Sequence, residues 1–165
     1  MNETPYYGVL KLMVLLLQPK YILELGTGRG RASANMMVTL PMTSNLITIN
    51  LPNPPSGDNV GIELEPWKND PRLHQILGDT REVRTQIAYG IDLLFIDSGE
   101  HSYAQVSHEW ALYKSVLMEG AIVCMDDIDA NDMPRFWEEL PYAKLSLPSL
   151  SPFGFGIFRY SNDAI

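Results

Sequence analysis

The sequence predicts a single α/β domain: a doubly wound, mostly parallel sheet of about seven strands, helices on both faces and an antiparallel strand at one edge. Three observations carry this. Short apolar runs alternate with helix-like segments along the whole chain, the pattern of βα units. The central runs are apolar at consecutive positions, as strands covered on both faces are. The last two runs are separated only by "PSLSP", too few residues for a crossover helix, so they pair antiparallel.

The elements follow in order. "MNETPYYGVLKLMVLLLQPK" reads as a buried first helix ending at Pro19. It does not read as a secretory leader: Glu3 stands where lysines are expected, Lys11 interrupts the apolar stretch and no small-residue cleavage site follows. It also falls short of the ~20 apolar residues of a membrane span. The strand runs are "YILEL", "NLITIN", "LHQIL", "IDLLFID", "AIVCMD", "AKLSL" and "FGIFRY", with helices expected at 31–40, 80–89, 103–118 and 132–140. Ser102 and Gln105 form a capping box that starts one helix near Tyr103 and stops it before Gly120. Asp79 and Glu82 share that spacing, for a helix ending before Gly90. Between 51 and 71 the chain is rich in Pro, Gly and Asn and reads as a long loop with at most a short helix.

A chain of 165 residues fits one domain, residues 1–165, that buries roughly 70% of its unfolded surface. The net charge is -8 with no Lys/Arg cluster, which argues against nucleic acid as the main partner. The single Cys124 excludes an internal disulfide and suits a reducing, cytoplasmic home, where it serves as a small buried hydrophobe.

In open sheets of this kind ligands bind outside the carboxyl ends of the strands. At the first of these ends stands "YILELGTGRGRAS". A dinucleotide fingerprint G-x-G-x-x-G counted from Gly26 needs a glycine at 31, where Arg31 stands, and no Gly-Lys-Ser/Thr follows for a P-loop. The spacing is instead E-x-G-x-G-x-G from Glu24 to Gly30. This resembles motif I of the class I S-adenosylmethionine-dependent methyltransferases, whose Rossmann-like fold wraps a glycine loop around the cofactor's amino-acid end. "ILGDTRE" resembles that family's segment whose Asp lies near the adenine amino group, here Asp79. "IDLLFIDSGEHSY…LMEGAIVCMDDI" resembles the fourth strand, helix and fifth strand of its sugar and macrolide O-methyltransferase branch.

The resemblance, covering roughly residues 20 to 130, implies that S-adenosylmethionine binds at Glu24, Gly26, Thr27, Gly28, Gly30, Asn50, Leu51, Asp79, Thr80 and Asp97. Asp79 has a second reading as a helix cap only. The family's second strand usually ends in an acidic residue for the ribose hydroxyls; Asn50 stands here, an acceptor without the charge that strengthens such bonds. "NPPS" at 53–56 imitates an element of amino-methylating relatives but follows the wrong strand, and reads as loop punctuation.

Asp97 ends the fourth strand, and Asp126 and Asp127 end the fifth. Such hard oxygen ligands suit Mg²⁺ or a similar cation, which would acidify a bound hydroxyl, and the metal-dependent branch holds its metal at these positions. The other reading has Asp127 and Asp129 capping a turn. His101 and Glu100 are rival general bases for a hydroxyl acceptor, with Asp97 beside them. The branch shows Asp-Gly-Asp-His where this chain has one residue more, Asp97-Ser98-Gly99-Glu100-His101, so the choice stays open. The expected function is therefore methyl transfer to a small-molecule acceptor, with no nucleic acid and no membrane. The chain is close to a bare catalytic domain, leaving the acceptor pocket open or completed by a second subunit in a homodimer. The rival functions are a cofactor-binding protein without transfer and a nicotinamide-dependent oxidoreductase.

Overall fold

The computed structural model describes residues 4–88 and 90–163. Its sheet comprises β1 (Tyr21–Leu25), β2 (Asn45–Asn50), β3 (Leu73–Leu77), β4 (Ile91–Ile96), β5 (Leu117–Asp126), β6 (Lys144–Leu147) and β7 (Phe155–Arg159). Their spatial order is β3-β2-β1-β4-β5-β7-β6. The first five strands are parallel, whereas β7 runs antiparallel to both β5 and β6. The reversed strand thus sits one place inside the edge.

Four helices cover the faces: α1 (Pro5–Leu17), α2 (Arg31–Thr39), α3 (Tyr103–Tyr113) and α4 (Met133–Glu139). Tyr6, Leu10 and Val14 of α1, spaced one turn apart, pack with Met36 and Met37 of α2 against Ile22, Leu46 and Phe95. On the opposite face Val106, Trp110 and Tyr113 of α3 join Phe136 and Trp137 of α4 over Leu25, Leu94 and Val123. The first helix, expected to be buried, is buried along one stripe; Leu12, Leu15 and Leu16 on its other side are exposed. Cys124 is buried in β5, as expected.

Two helix expectations fail for identifiable reasons. Over 80–89 the described residues form only a 3₁₀ turn, Val83–Gln86. Thr80, Val83, Thr85 and Ile87 are β-branched and resist helix formation, and a segment this short is marginal without strong propensity. Asp79 also spends its carboxylate on the backbone N–H and guanidinium of Arg81, which closes a local turn in place of a capping box. The helix expected over 103–118 ends at Tyr113, continues as a 3₁₀ turn over Lys114–Val116, and gives way to β5 at Leu117. Gly120 is therefore no helix stop. It sits at φ +83° inside β5, where the β4–β5 register shifts and a residue tolerant of positive φ is required. The Ser102 cap forms, accepting the Gln105 N–H at 3.3 Å, but the Gln105 side chain turns away to Glu109.

The register Leu25↔Ile49 and Leu25↔Ile96, with Ile96↔Met125, aligns the carboxyl ends of the central strands. Gly26, Asn50, Asp97 and Asp126 consequently meet one rim, at the point where strand order reverses between β1 and β4.

Candidate active site

At that rim lies a cleft of about 460 Å³, within the usual range for small-molecule sites. Gly26 and Gly28 line it with bare backbone. Gly26 has φ +99°, and a Cβ there would lie 2.0 Å from the Asp97 carbonyl oxygen. Gly28 has φ +47° and faces open space. Its N–H donates to Asn50 Oδ1 at 3.1 Å, so the second strand's amide props up the glycine loop.

The other glycine-loop residues stand behind the cleft wall. Glu24 is fully buried and accepts hydrogen bonds from Ser33 and Thr48. Burial pushes its carboxyl up to about 7, and its Oε1 has no hydrogen-bond partner among the described residues. Thr27 shares a 2.6 Å hydroxyl hydrogen bond with Thr48, and Gly30 leads into α2, where a Cβ would meet the Leu64 side chain at 2.7 Å. Glu24, Thr27 and Gly30 thus shape the loop while Gly26 and Gly28 face the cavity.

Asn50, Leu51, Asp79 and Thr80 line the cleft. Asp79 is gripped in a bidentate pair by Arg81, at 2.9 and 2.6 Å, which holds its carboxyl below the ordinary carboxylate range. The "NPPS" segment is more than punctuation: Pro54, Pro55 and Ser56 form part of the wall, together with Asp58.

Asp97, Glu100 and His101 line the same cleft. His101 sits at φ +44° and Asp127 at φ +55°, both in a region costly for residues with a Cβ. Their side chains join through His101 Nδ1 and Asp127 Oδ2, a hydrogen bond that raises the imidazole pKa. Asn131 holds the His101 carbonyl at 3.0 Å, and Ser151 donates to Asp127 Oδ1 at 3.5 Å. Ligand atoms of Asp97, His101 and Asp127 all lie within 4.8 Å of one another. Asp126 stands outside this group and spends Oδ1 on the Asp127 N–H at 2.9 Å. The sequence-expected trio of Asp97, Asp126 and Asp127 is thereby altered by one member. The carboxyls of Asp97 and Asp126 are both raised above the ordinary range, chiefly by burial and then by carboxylate neighbours; for Asp126 the hydrogen bond of Ser151 partly opposes the rise.

Sequence reasoning missed three participants. Tyr6 of α1 donates its hydroxyl to Asp97 Oδ2 at 3.3 Å. Arg81 reaches the cleft through Asp79. Glu109 is buried beneath the floor in contact with Thr80, Ser98 and Gln105. Short-range spacing links Glu109 to Gln105 and Arg81 to Asp79, but Tyr6–Asp97, Glu109–Thr80 and Glu109–Ser98 join residues 11 to 91 positions apart and leave no such mark.

The fold is that of known methyltransferases. The O-methyltransferase TomG of Streptomyces achromogenes, solved with SAM, superposes with a TM-score of 0.77 at 19% identity, covering 98% of this chain and 82% of that one. PaMTH1 of Podospora anserina, solved with SAH, gives 0.75 at 18% identity over 98% and 80%. An O-methyltransferase of Bacillus cereus, solved with SAH, gives 0.74 at 18% identity over 98% and 83%. In sequence, a methyltransferase-domain family model matches residues 23–128, from mid-β1 through the end of the acidic pair. The chain belongs to this methyltransferase-domain family.

Proposed function

We propose that this protein moves a methyl group from S-adenosylmethionine to a hydroxyl of a small-molecule acceptor, with a divalent cation such as Mg²⁺ held by Asp97, His101 and Asp127. The observation that carries the proposal is one cleft that offers bare glycine backbone at Gly26 and Gly28 and also the Asp97–Glu100–His101 segment.

The cofactor's methionine end fits against Gly26 and Gly28, where no Cβ projects. Asn50 Oδ1 already accepts the Gly28 N–H and keeps a second lone pair for a ribose hydroxyl. Asp79, kept ionised by Arg81, offers an acceptor for the adenine amino group, and Leu51 and Pro54 give apolar surface beside it. Two carboxylates and an imidazole converging within 4.8 Å offer a divalent cation two hard oxygen ligands and one softer nitrogen. Held against Gly26 and Gly28, S-adenosylmethionine would supply an electrophilic methyl on its sulfonium, and a cation held by Asp97, His101 and Asp127 would lower the pKa of a ligated hydroxyl. With His101 so engaged, Glu100 on the exposed rim takes the acceptor's proton. The lining carboxylates Asp58, Asp79, Asp97 and Glu100 outnumber the one guanidinium, Arg81, which suits a neutral or cationic acceptor better than a nucleic acid.

The His101–Asp127 hydrogen bond favours a second arrangement, without cation. Asp127 then fixes Nδ1 as the protonated nitrogen and leaves Nε2 as the general base. The acceptor end is open, or completed by a second copy of the chain; sedimentation of a fully active monomer would remove the second copy.

The test is transfer of labelled methyl to a panel of phenols, catechols and sugars, with and without chelator. Transfer that stops in chelator supports the cation; transfer that persists supports the His101–Asp127 pair. Labelling of none, with the cofactor bound, would instead support a protein that binds without transferring.

A further inference from the structure

Glu109 occupies the buried face of α3, where the other buried positions are Val106, Trp110 and Tyr113. A carboxylate among such neighbours is costly unless its oxygens are satisfied. Here they are: Oε1 accepts the Thr80 hydroxyl at 2.5 Å and the Gln105 side-chain amide at 2.9 Å, while Oε2 accepts the Ser98 hydroxyl at 2.6 Å. All three donors line the cleft. Thr80 follows β3 and Asp79; Ser98 follows β4 and Asp97.

In the sheet β3 and β4 are separated by β2 and β1, so no strand ladder joins the loops that follow them. Glu109 makes that connection from below, one carboxylate oxygen to each loop. The Tyr113 hydroxyl, one turn on, adds a 2.6 Å hydrogen bond to the Thr80 carbonyl. We propose that Glu109 is a positioning residue: it ties the loop carrying Asp79 to the loop carrying Asp97 and sets the separation of those two carboxylates across the cleft. Its bearing on cofactor affinity rests on the reading above; the tie between the loops does not.

The test reads amide hydrogen exchange in the ligand-free protein. The N–H groups of Arg81, Glu82 and Val83 all bond to Asp79 and report one loop, and the His101 N–H, bonded to the Ser98 carbonyl, reports the other. Ser98→Ala leaves Thr80 intact, yet it is expected to speed exchange at 81–83 by about threefold. Thr80→Val is expected to do the same at His101. Both cross-effects are expected to vanish in the E109Q background, where exchange in the two loops has already risen together. E109Q is also expected to weaken S-adenosylhomocysteine binding about tenfold, by leaving a loop hydroxyl without its acceptor. A Ser98→Ala protein with unchanged exchange at 81–83 overturns the proposal, and this holds even where E109Q does not fold. Cross-effects seen in Ser98→Ala and Thr80→Val, with a wild-type protein that does not bind S-adenosylhomocysteine, support the tie and remove the cofactor reading alone.

Discussion

A side chain at Gly26 would place its Cβ 2.0 Å from the carbonyl oxygen of Asp97, so the first strand can leave the sheet beside the fourth only as glycine. The Asp97 N–H donates to the Leu25 carbonyl at 2.8 Å and fixes the two strand ends together. A Cβ added at Gly28, two residues on, would meet no described atom within 4 Å. Gly26→Ala is therefore expected to destabilise the fold by several kcal/mol through backbone overlap, whereas Gly28→Ala costs only about 1 kcal/mol for its positive φ. Urea melts of the two variants check the contrast, and equal midpoints would contradict it.

Glu24 gives the stability a pH dependence. Burial raises its carboxyl from 4.5 to about 7, so the folded state binds this proton more tightly than the unfolded chain. The resulting stabilisation is complete below the unfolded pKa and is lost as pH rises through about 7. Between pH 5 and 8 the wild-type protein should lose on the order of 2 kcal/mol more than Glu24→Gln. Urea midpoints across that range provide the measurement; parallel curves would contradict it.

The acidic rim separates two neighbouring carboxylates. Asp127 belongs to the group with Asp97 and His101, and Asp126 does not. Titration of Mn²⁺ followed by its electron paramagnetic resonance should show at least about tenfold weaker binding in Asp127→Asn and near-wild-type binding in Asp126→Asn. The reverse order would move the cation to Asp126.

His101 and Glu100 are distinguished by combining each variant with chelator. His101→Ala should lower kcat/KM by about 10²–10⁴ in either arrangement, since it removes a ligand or a base. Glu100→Gln should do so only where the rate depends on metal. A metal-independent rate lost in Glu100→Gln and retained in His101→Ala would reverse the roles.

The sequence exposed the architecture because its evidence is local: consecutive apolar positions in "IDLLFID" and "AIVCMD", and the tight spacing of the last two strands. It exposed the glycine loop for the same reason, since a close approach at Gly26 excludes a side chain and the positive φ at Gly28 favours glycine. It failed at 80–89, where a side chain competes for its own backbone, with Arg81 taking the Asp79 carboxylate that a helix cap would need. It failed also where a residue's role is set by distant partners. Tyr6 meets Asp97 across 91 positions, and Glu109 meets Thr80 across 29. The loop prolines 54 and 55 reach the cleft only because the chain folds back over the rim.

Binding of the cofactor's demethylated product reports most directly on the cleft. Calorimetric titration of S-adenosylhomocysteine into the wild-type protein should show one site per chain, and Gly28→Val, which fills the open space beside Asn50, should weaken it at least about tenfold without unfolding the protein. Equal binding to both proteins, or no heat with wild type at all, would contradict a cofactor seated against this glycine loop.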